Sequence, residues 1–209
     1  RPSKRTESLG ARVATGFCVD RHGEHQTIER HAAAEGTRRV SVGDDEAQGN
    51  NLSLDAKVSD DGQRVTFISS ANNLVAGDSN GDDDIFVRDL AAGTTECVSV
   101  ATDGTQANDS SSQASISGNG RYVVFQSAAT NLVANDTNGV VDVFLRDLQT
   151  DTTVRVSTSG AGAEATGASN GGDISADGRY VVFTSQASNL VAGDVAGTYD
   201  IFVKDMLTG

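Results

Sequence analysis

The apolar residues of this chain fall in short runs, separated by polar stretches rich in Gly, Asn, Asp and Ser. Tyr122-Val-Val-Phe-Gln-Ser127 and Tyr180-Val-Val-Phe-Thr-Ser185 are near copies, and Arg64-Val-Thr-Phe-Ile-Ser69 is a third. A run that is apolar through its middle predicts a strand covered on both faces. A second set, Asp84-Ile-Phe-Val-Arg-Asp-Leu90, Asp142-Val-Phe-Leu-Arg-Asp-Leu148 and Asp200-Ile-Phe-Val-Lys-Asp-Met206, predicts another strand. Ala56-Lys-Val-Ser59, Ala114-Ser-Ile-Ser117 and Gly172-Asp-Ile-Ser175 are shorter. Arg38-Arg-Val-Ser-Val42, Glu96-Cys-Val-Ser-Val100 and Val154-Arg-Val-Ser-Thr158 alternate as strands do. No window sustains a helical period, so helices are expected to be few.

These sets recur at one interval. Phe67, Phe125 and Phe183 are 58 residues apart, as are Asp78, Asp136 and Asp194, and Asp89, Asp147 and Asp205. A constant period without insertions means one structural unit copied three times. Asp61-Gly62, Asn119-Gly120 and Asp177-Gly178 separate two of the strands. Such pairs predict tight hairpins with both central residues at positive φ. A longer connection carries Asn73-Leu-Val-Ala-Gly-Asp78 and its copies, with Leu74, Leu132 and Leu190 expected to pack on the sheet.

Each repeat therefore holds four hairpin-linked strands. A four-stranded antiparallel unit of this length cannot bury both faces alone, and radial stacking lets neighbours cover them. The reading is all-β: three blades of a propeller over residues 37–209, preceded by residues 1–36. That N-terminal segment holds all three histidines, His22, His25 and His31, and six of the sixteen Lys and Arg residues. It is expected to be a degenerate repeat or poorly ordered, with its histidines solvated rather than ligating.

Ser-x-Asp-Gly-x-Tyr-Val-x-Phe, then Asp-Ile-Phe-Val-x-Asp-Leu, then Thr-x-x-Val-Ser resembles the TolB-type, WD-like β-propeller repeat. The resemblance spans residues 37–209, and the combination found three times is specific where any one piece is weak. It implies a bacterial protein, periplasmic or extracellular, whose blades form a binding surface for a protein or small ligand. It implies no single activity. The connection with Asn-Leu-Val-Ala-Gly-Asp is longer than in the compact repeat.

Propellers normally close with four to eight blades. Three blades, with Arg38–Val42 as an outer strand at the start and none after Gly209, lead to two expectations. The chain is a fragment of a six- or seven-bladed ring, or half of a C2 dimer in which residues 37–42 complete the partner's last blade. The chain does not begin with Met and is read as a mature or excised segment.

Charge narrows the partners. The formal net charge of -13 disfavours phosphate backbones and anionic membrane surfaces, and suits a cationic partner or a metal ion. The one metal candidate is the acidic turn. Asp78, Asn80, Asp82 and Asp84 place oxygens at alternate positions, as calcium loops do. Asp136, Asn138 and Asp142 form a thinner second copy, and Asp194 and Asp200 a third. The competing reading is an Asx turn capping backbone N–H groups before the next strand. No other cofactor is expected.

Other motifs read as structure. Arg88-Asp89, Arg146-Asp147 and Lys204-Asp205 are expected to make inter-blade ion pairs or to bond a neighbouring turn. Gly167-Ala-Ser169-Asn-Gly171 matches the nucleophile-elbow pattern, but every His lies upstream and a strand follows instead of a helix. No catalysis is expected. The Phe residues sit at strand centres and read as core. Cys97, in register with Arg39 and Arg155, is expected to face solvent, and a Cys18–Cys97 disulfide is an open alternative to two free thiols. The chain is thus a non-catalytic binding or scaffolding module. The alternatives are the accessory propeller of a larger secreted hydrolase and a calcium-stabilised surface repeat.

Overall fold

A computed structural model describes residues 15–19, 25–29, 36–195 and 197–209. The chain divides into two units, Arg1–Arg39 and Val40–Gly209. In the first, β1 (Thr15–Val19) and β2 (His25–Glu29) form an antiparallel hairpin. His22 and His31 lie outside the described residues, as does most of the segment expected to be a degenerate repeat.

The second unit is three antiparallel sheets and, among the described residues, contains no helix. The first sheet is β3 (Ser53–Val58), β4 (Arg64–Ser69), β5 (Asp84–Asp89) and β6 (Thr94–Cys97), in that spatial order. The second repeats it with β7 (Ser111–Ile116), β8 (Tyr122–Ser127), β9 (Asp142–Asp147) and β10 (Thr152–Arg155). The third has only β11 (Ser169–Ile174), β12 (Tyr180–Ser185) and β13 (Asp200–Asp205). The first strands of the sheets, β3, β7 and β11, lie against one another in sequence order. Sheets thus stack as consecutive blades around their first strands, and the unit is a three-blade propeller segment.

Between blades the contacts are apolar. Ile68, Ile85 and Val87 of the first blade meet Ala114, Ile116, Val123 and Phe125 of the second in one buried cluster. Val124, Val143 and Leu145 meet Ile174, Val181 and Phe183 in the next. Within each blade a Phe pair stacks across the central strands, Phe67 on Phe86, Phe125 on Phe144 and Phe183 on Phe202, with centroids 5.8–5.9 Å apart. Leu74, Leu132 and Leu190 come in from the long connections to cover these pairs, as expected.

Three local expectations need correction. The first strands start three residues earlier than the alternation suggested, at Ser53, Ser111 and Ser169. Each carries a β-bulge, with Asp55, Gln113 and Gly171 at φ of 49°, 51° and 72°. The extra residue breaks the two-residue period that sequence reading relies on. The hairpin turns place only Gly62, Gly120 and Gly178 at positive φ. Asp61 keeps its ordinary backbone and accepts bonds from the Ser59 hydroxyl and the Gln63 N–H, and Asp177 does the same with Ser175 and Arg179. Finally, residues 37–41 form no strand, and Val42 makes only an isolated bridge to Gln48. One and two periods on, residues 95–97 and 153–155 are strand because β5 and β9 stand beside them, and these strands begin and end two to three residues earlier than the alternation suggested. Among the described residues no strand is paired with 37–41.

Candidate functional site

The acidic turns are hubs of buried hydrogen bonds. Asp84 and Asp142 open β5 and β9, and both are fully buried. Ser99 Oγ donates to Asp84 Oδ1 at 2.6 Å, while Asn80 Nδ2 and Gln106 Nε2 donate to Oδ2 at 3.1 and 3.0 Å. Gln106 Nε2 also reaches Asp78 Oδ1 at 2.8 Å, so one amide bridges the two carboxylates. Burial pushes the Asp84 carboxyl up, against those donors.

The second hub swaps the amide for a cation. Ser157 Oγ donates to Asp142 Oδ1 at 2.5 Å and Asn138 Nδ2 to Oδ2 at 2.8 Å. The Arg155 guanidinium sits 3.6 Å from both Asp136 and Asp142 and donates to Glu164 Oε2 at 2.6 Å. Asp136 Oδ1 is buried without a hydrogen-bond partner of its own. Burial raises the Asp136 and Asp142 carboxyls. The Thr137 hydroxyl and Arg155 hold Glu164 down at about 2.

The third hub is open. Asp200 is exposed, with a hydrogen bond from Thr198 Oγ1 at 3.1 Å, and Asp194 Oδ1 accepts from the Val195 N–H. Asp82, also on the metal-ligand roster, caps nothing at Asp84. Its N–H bonds Asn80 Oδ1 and its carboxylate takes the Ser110 hydroxyl. Among the described residues no three His, Cys, Asp or Glu side chains form a metal-holding group. In the two closed hubs the oxygens at Asp84 and Asp142 already carry protein donors.

A further set of contacts ties neighbouring connections together at the loop end of the blades. Asn73 Nδ2 donates to Gln48 O and its Oδ1 accepts from the Asn50 N–H. Asn131 and Asn189 repeat both contacts with the loops at 106–108 and 164–166. The connections that leave the sheets at this end, across 43–52, 70–83, 98–110, 128–141, 156–168 and 186–199, contain acidic residues in every blade and no Lys or Arg. Near the opposite end, Arg64, Arg121 and Arg179 pair with Asp89, Asp147 and Asp205 at 3.4, 2.6 and 2.7 Å.

The neighbouring basic positions point elsewhere. Arg88 is buried and donates to Gly43 O and Thr95 Oγ1 at 3.0 Å, and pairs with Glu46. Arg146 bonds Asp151 and Thr153, and Lys204 bonds Thr158. Adjacent residues on a strand face opposite sides, so Arg88 and Asp89 cannot pair with one another. Ser169, the elbow-like serine, is buried at the start of β11 and bonds Ser185 Oγ at 2.9 Å. Ser53–Ser69 and Ser111–Ser127 are the same contact, so the motif is a repeat position. Cys97 is a free thiol and is half-buried rather than turned fully to solvent. It packs beside the Phe67–Phe86 pair, and burial next to the Asp84 charge pushes it up to about 12. The side chain of Cys18 lies outside the described residues.

Sequence reasoning missed Ser99, Ser157, Gln106, Arg155 and Glu164 as hub members. The repeat carried the signal: Ser41, Ser99 and Ser157 are one period apart, as are Gln48, Gln106 and Glu164.

These features define the class: an all-β propeller segment with blades stacked through apolar faces and tied by polar hubs. No family model and no curated protein matches the chain. Solved structures do. A putative TolB from Agrobacterium tumefaciens is 17% identical with a TM-score of 0.45, covering 75% of this chain and 47% of that one. TolB from Acinetobacter baumannii is 14% identical with a TM-score of 0.36, over 93% and 47%. The β-propeller domain of the Trilobed protease from Pyrococcus furiosus is 14% identical with a TM-score of 0.42, over 75% and 43%. The chain spans less than half the length of each.

Proposed function

We propose that this chain is a non-catalytic binding module, exported by a bacterium, whose working surface is the loop end of its blades. One observation carries the reading. The connections at that end are latched by the same Asn contacts in each blade, and they hold carboxylates without a single Lys or Arg. Arg88 and Arg155 reach in from the strands to pair with Glu46, Asp136 and Glu164, and the remaining loop carboxylates leave an excess of one sign, which selects partners of the other sign and speeds their arrival. The favoured partner is a cationic protein segment or a small cationic ligand. The blade serines are tied into sheet contacts, which supports a role in binding and not in acyl transfer. The test is a binding titration of the immobilised chain against Lys/Arg-rich and Asp/Glu-rich peptides of equal length. Saturable binding of the basic peptide alone, weakening as salt rises, is expected. No binding of either, or equal binding of both, overturns the reading.

A further inference from the structure

The same cleft occurs in two successive blades. In the first, a hollow of about 510 Å³ lies between the loop at 43–45 and the long connection at 73–76, with Thr95 of β6 in its wall. In the second, a hollow of about 590 Å³ is lined by the same positions 58 residues later, among them Asp103, Leu132 and Thr153. A hollow that recurs at every lining position belongs to the repeat. The second blade has a blade packed on each side, so its opening owes nothing to where the chain begins or ends.

The two linings share one chemistry. Leu74, Val75 and Ala76 form an apolar wall in the first, and Leu132, Val133 and Ala134 form it in the second. Asp45 and Asp103 line the clefts and are exposed. Each is fixed by a turn N–H, Ala47 donating to Asp45 Oδ1 at 3.0 Å and Thr105 to Asp103 Oδ1 at 2.9 Å. No Lys or Arg lines either cleft. Arg88 and Arg146 reach the loop carbonyls of Gly43 and Ala101, but Glu46 and Asp151 pair with them, so they bring no uncompensated positive charge.

An apolar wall beside an exposed carboxylate matches a long basic side chain, whose methylene stem is apolar and whose head is charged. The second cleft also shares Val133, Ala134 and Thr153 with an adjoining hollow of about 510 Å³ lined by Arg155 and Glu164. Two joined hollows make a trench, which suits an extended segment better than a compact ligand. The third copy differs at the deciding position, where Ala161 stands in place of Asp45 and Asp103.

We propose that each of the first two clefts seats one Lys or Arg side chain of an extended partner segment. The stem lies on the Leu-Val-Ala wall and the head meets Asp45 or Asp103. This rests on the loop-end reading above and narrows it to a protein segment whose basic residues reach two successive blades. Two weak sites on one chain hold a two-headed partner far more tightly than either site alone.

The experiment is fluorescence anisotropy on the full chain. The probes are end-blocked peptides with one Lys, or with two Lys joined by Gly/Ser linkers of graded length. At the best linker length the two-Lys peptide is expected to bind about 100-fold more tightly than the one-Lys peptide. Ala76→Trp and Ala134→Trp fill the clefts one at a time. Both positions are exposed, and both changes leave every carboxylate in place. Each is expected to remove the gain, and the two together to remove binding. Ala192→Trp makes the same change in the third blade and is expected to leave binding unchanged. Circular dichroism checks that each variant keeps its sheets. Undiminished binding by the double variant, an equal loss from Ala192→Trp, or equal affinity for one and two lysines at every linker length overturns the paired clefts and leaves the loop-end reading standing. A wild type that binds no basic peptide overturns both.

Discussion

Tyr122-Val-Val-Phe125 and Tyr180-Val-Val-Phe183 are the same four residues in the same strand of two successive blades, yet they live differently. Val124 is fully buried and Val182 is 44% exposed. Asp142, opening the next strand, is buried with a serine, an asparagine and an arginine around it, while Asp200 is exposed. Nothing in the second and third blades' own strand sequences makes this difference. It comes from packing: the third blade covers the second, and among the described residues none covers the outer face of the third in the same way. Burial in a stacked repeat belongs to the junction, as nearest-neighbour coupling requires.

The sharpest way to break that comparison is to introduce a charge at matched positions. Val143→Asp places an unpaired carboxylate at a site with no exposure, which costs on the order of 4 kcal/mol or more. Ile201→Asp makes the same change one period later, where the side chain is already 77% exposed, and shifts the fold of the single chain by about 0.5 kcal/mol or less. Urea denaturation at concentrations low enough to hold single chains measures both. Equal losses would mean that the third blade's outer face is covered in solution even without a second copy.

The hubs give the next contrast. Arg155 is the internal cation of the second hub, facing Asp136, Asp142 and Glu164. Arg155→Ala leaves buried carboxylates facing one another and is expected to cost about 3 kcal/mol. Cys97 holds the matching place in the first hub, where the Gln106 amide bridges the carboxylates instead. Cys97→Ala is expected to cost about 1 kcal/mol. The same thiol, pushed up to about 12, is expected to resist alkylation at pH 8 until the chain is unfolded. Rapid labelling of the native chain would show that the first hub opens freely. Millimolar calcium is expected to leave the melting temperature unchanged, since the closed hubs meet their own carboxylates.

The blade plan was legible because periodicity of a sequence reports periodicity of a fold. Phe67, Phe125 and Phe183 marked the central strands, and the leucines of the long connections marked what covers them. The bulges at Asp55 and Gln113 were not legible, since a non-glycine residue at positive φ leaves no mark in a hydrophobic pattern. The hubs were half legible. Asp78 and Asp84 stood out as carboxylates, but their partners lie 15 to 28 residues further on, across a junction, at positions where Ser, Gln and Glu look like ordinary loop polarity. The donors that meet Asp84 and Asp142 are visible only once the strands are placed, because they come from side chains distant in sequence.

The smallest effect separates the buried hub aspartates from the arginine-paired carboxylates of the opposite end by the sign of their pH response. Arg121 holds the Asp147 carboxyl well below its ordinary range, through bonds of 2.6 and 2.8 Å. A carboxyl depressed in the folded state stabilises above its unfolded value, near 4, and that contribution is lost as pH falls. Asp205, held at about 2 by Arg179, acts in the same sense. Asp84 and Asp142 are shifted upward by burial, so their protonation relieves a cost and opposes the loss, whereas Glu164, held at about 2 in the second hub, adds to it. The chain is therefore expected to lose stability between about pH 4 and pH 2. Arg121→Met lets Asp147 return toward its ordinary range and flattens that acid limb, with a modest loss at pH 7. Denaturation midpoints at pH 7, 4 and 2.5 measure both. An unchanged slope would assign the acid limb to the other depressed carboxylates, Glu164 and Asp205, and not to Asp147.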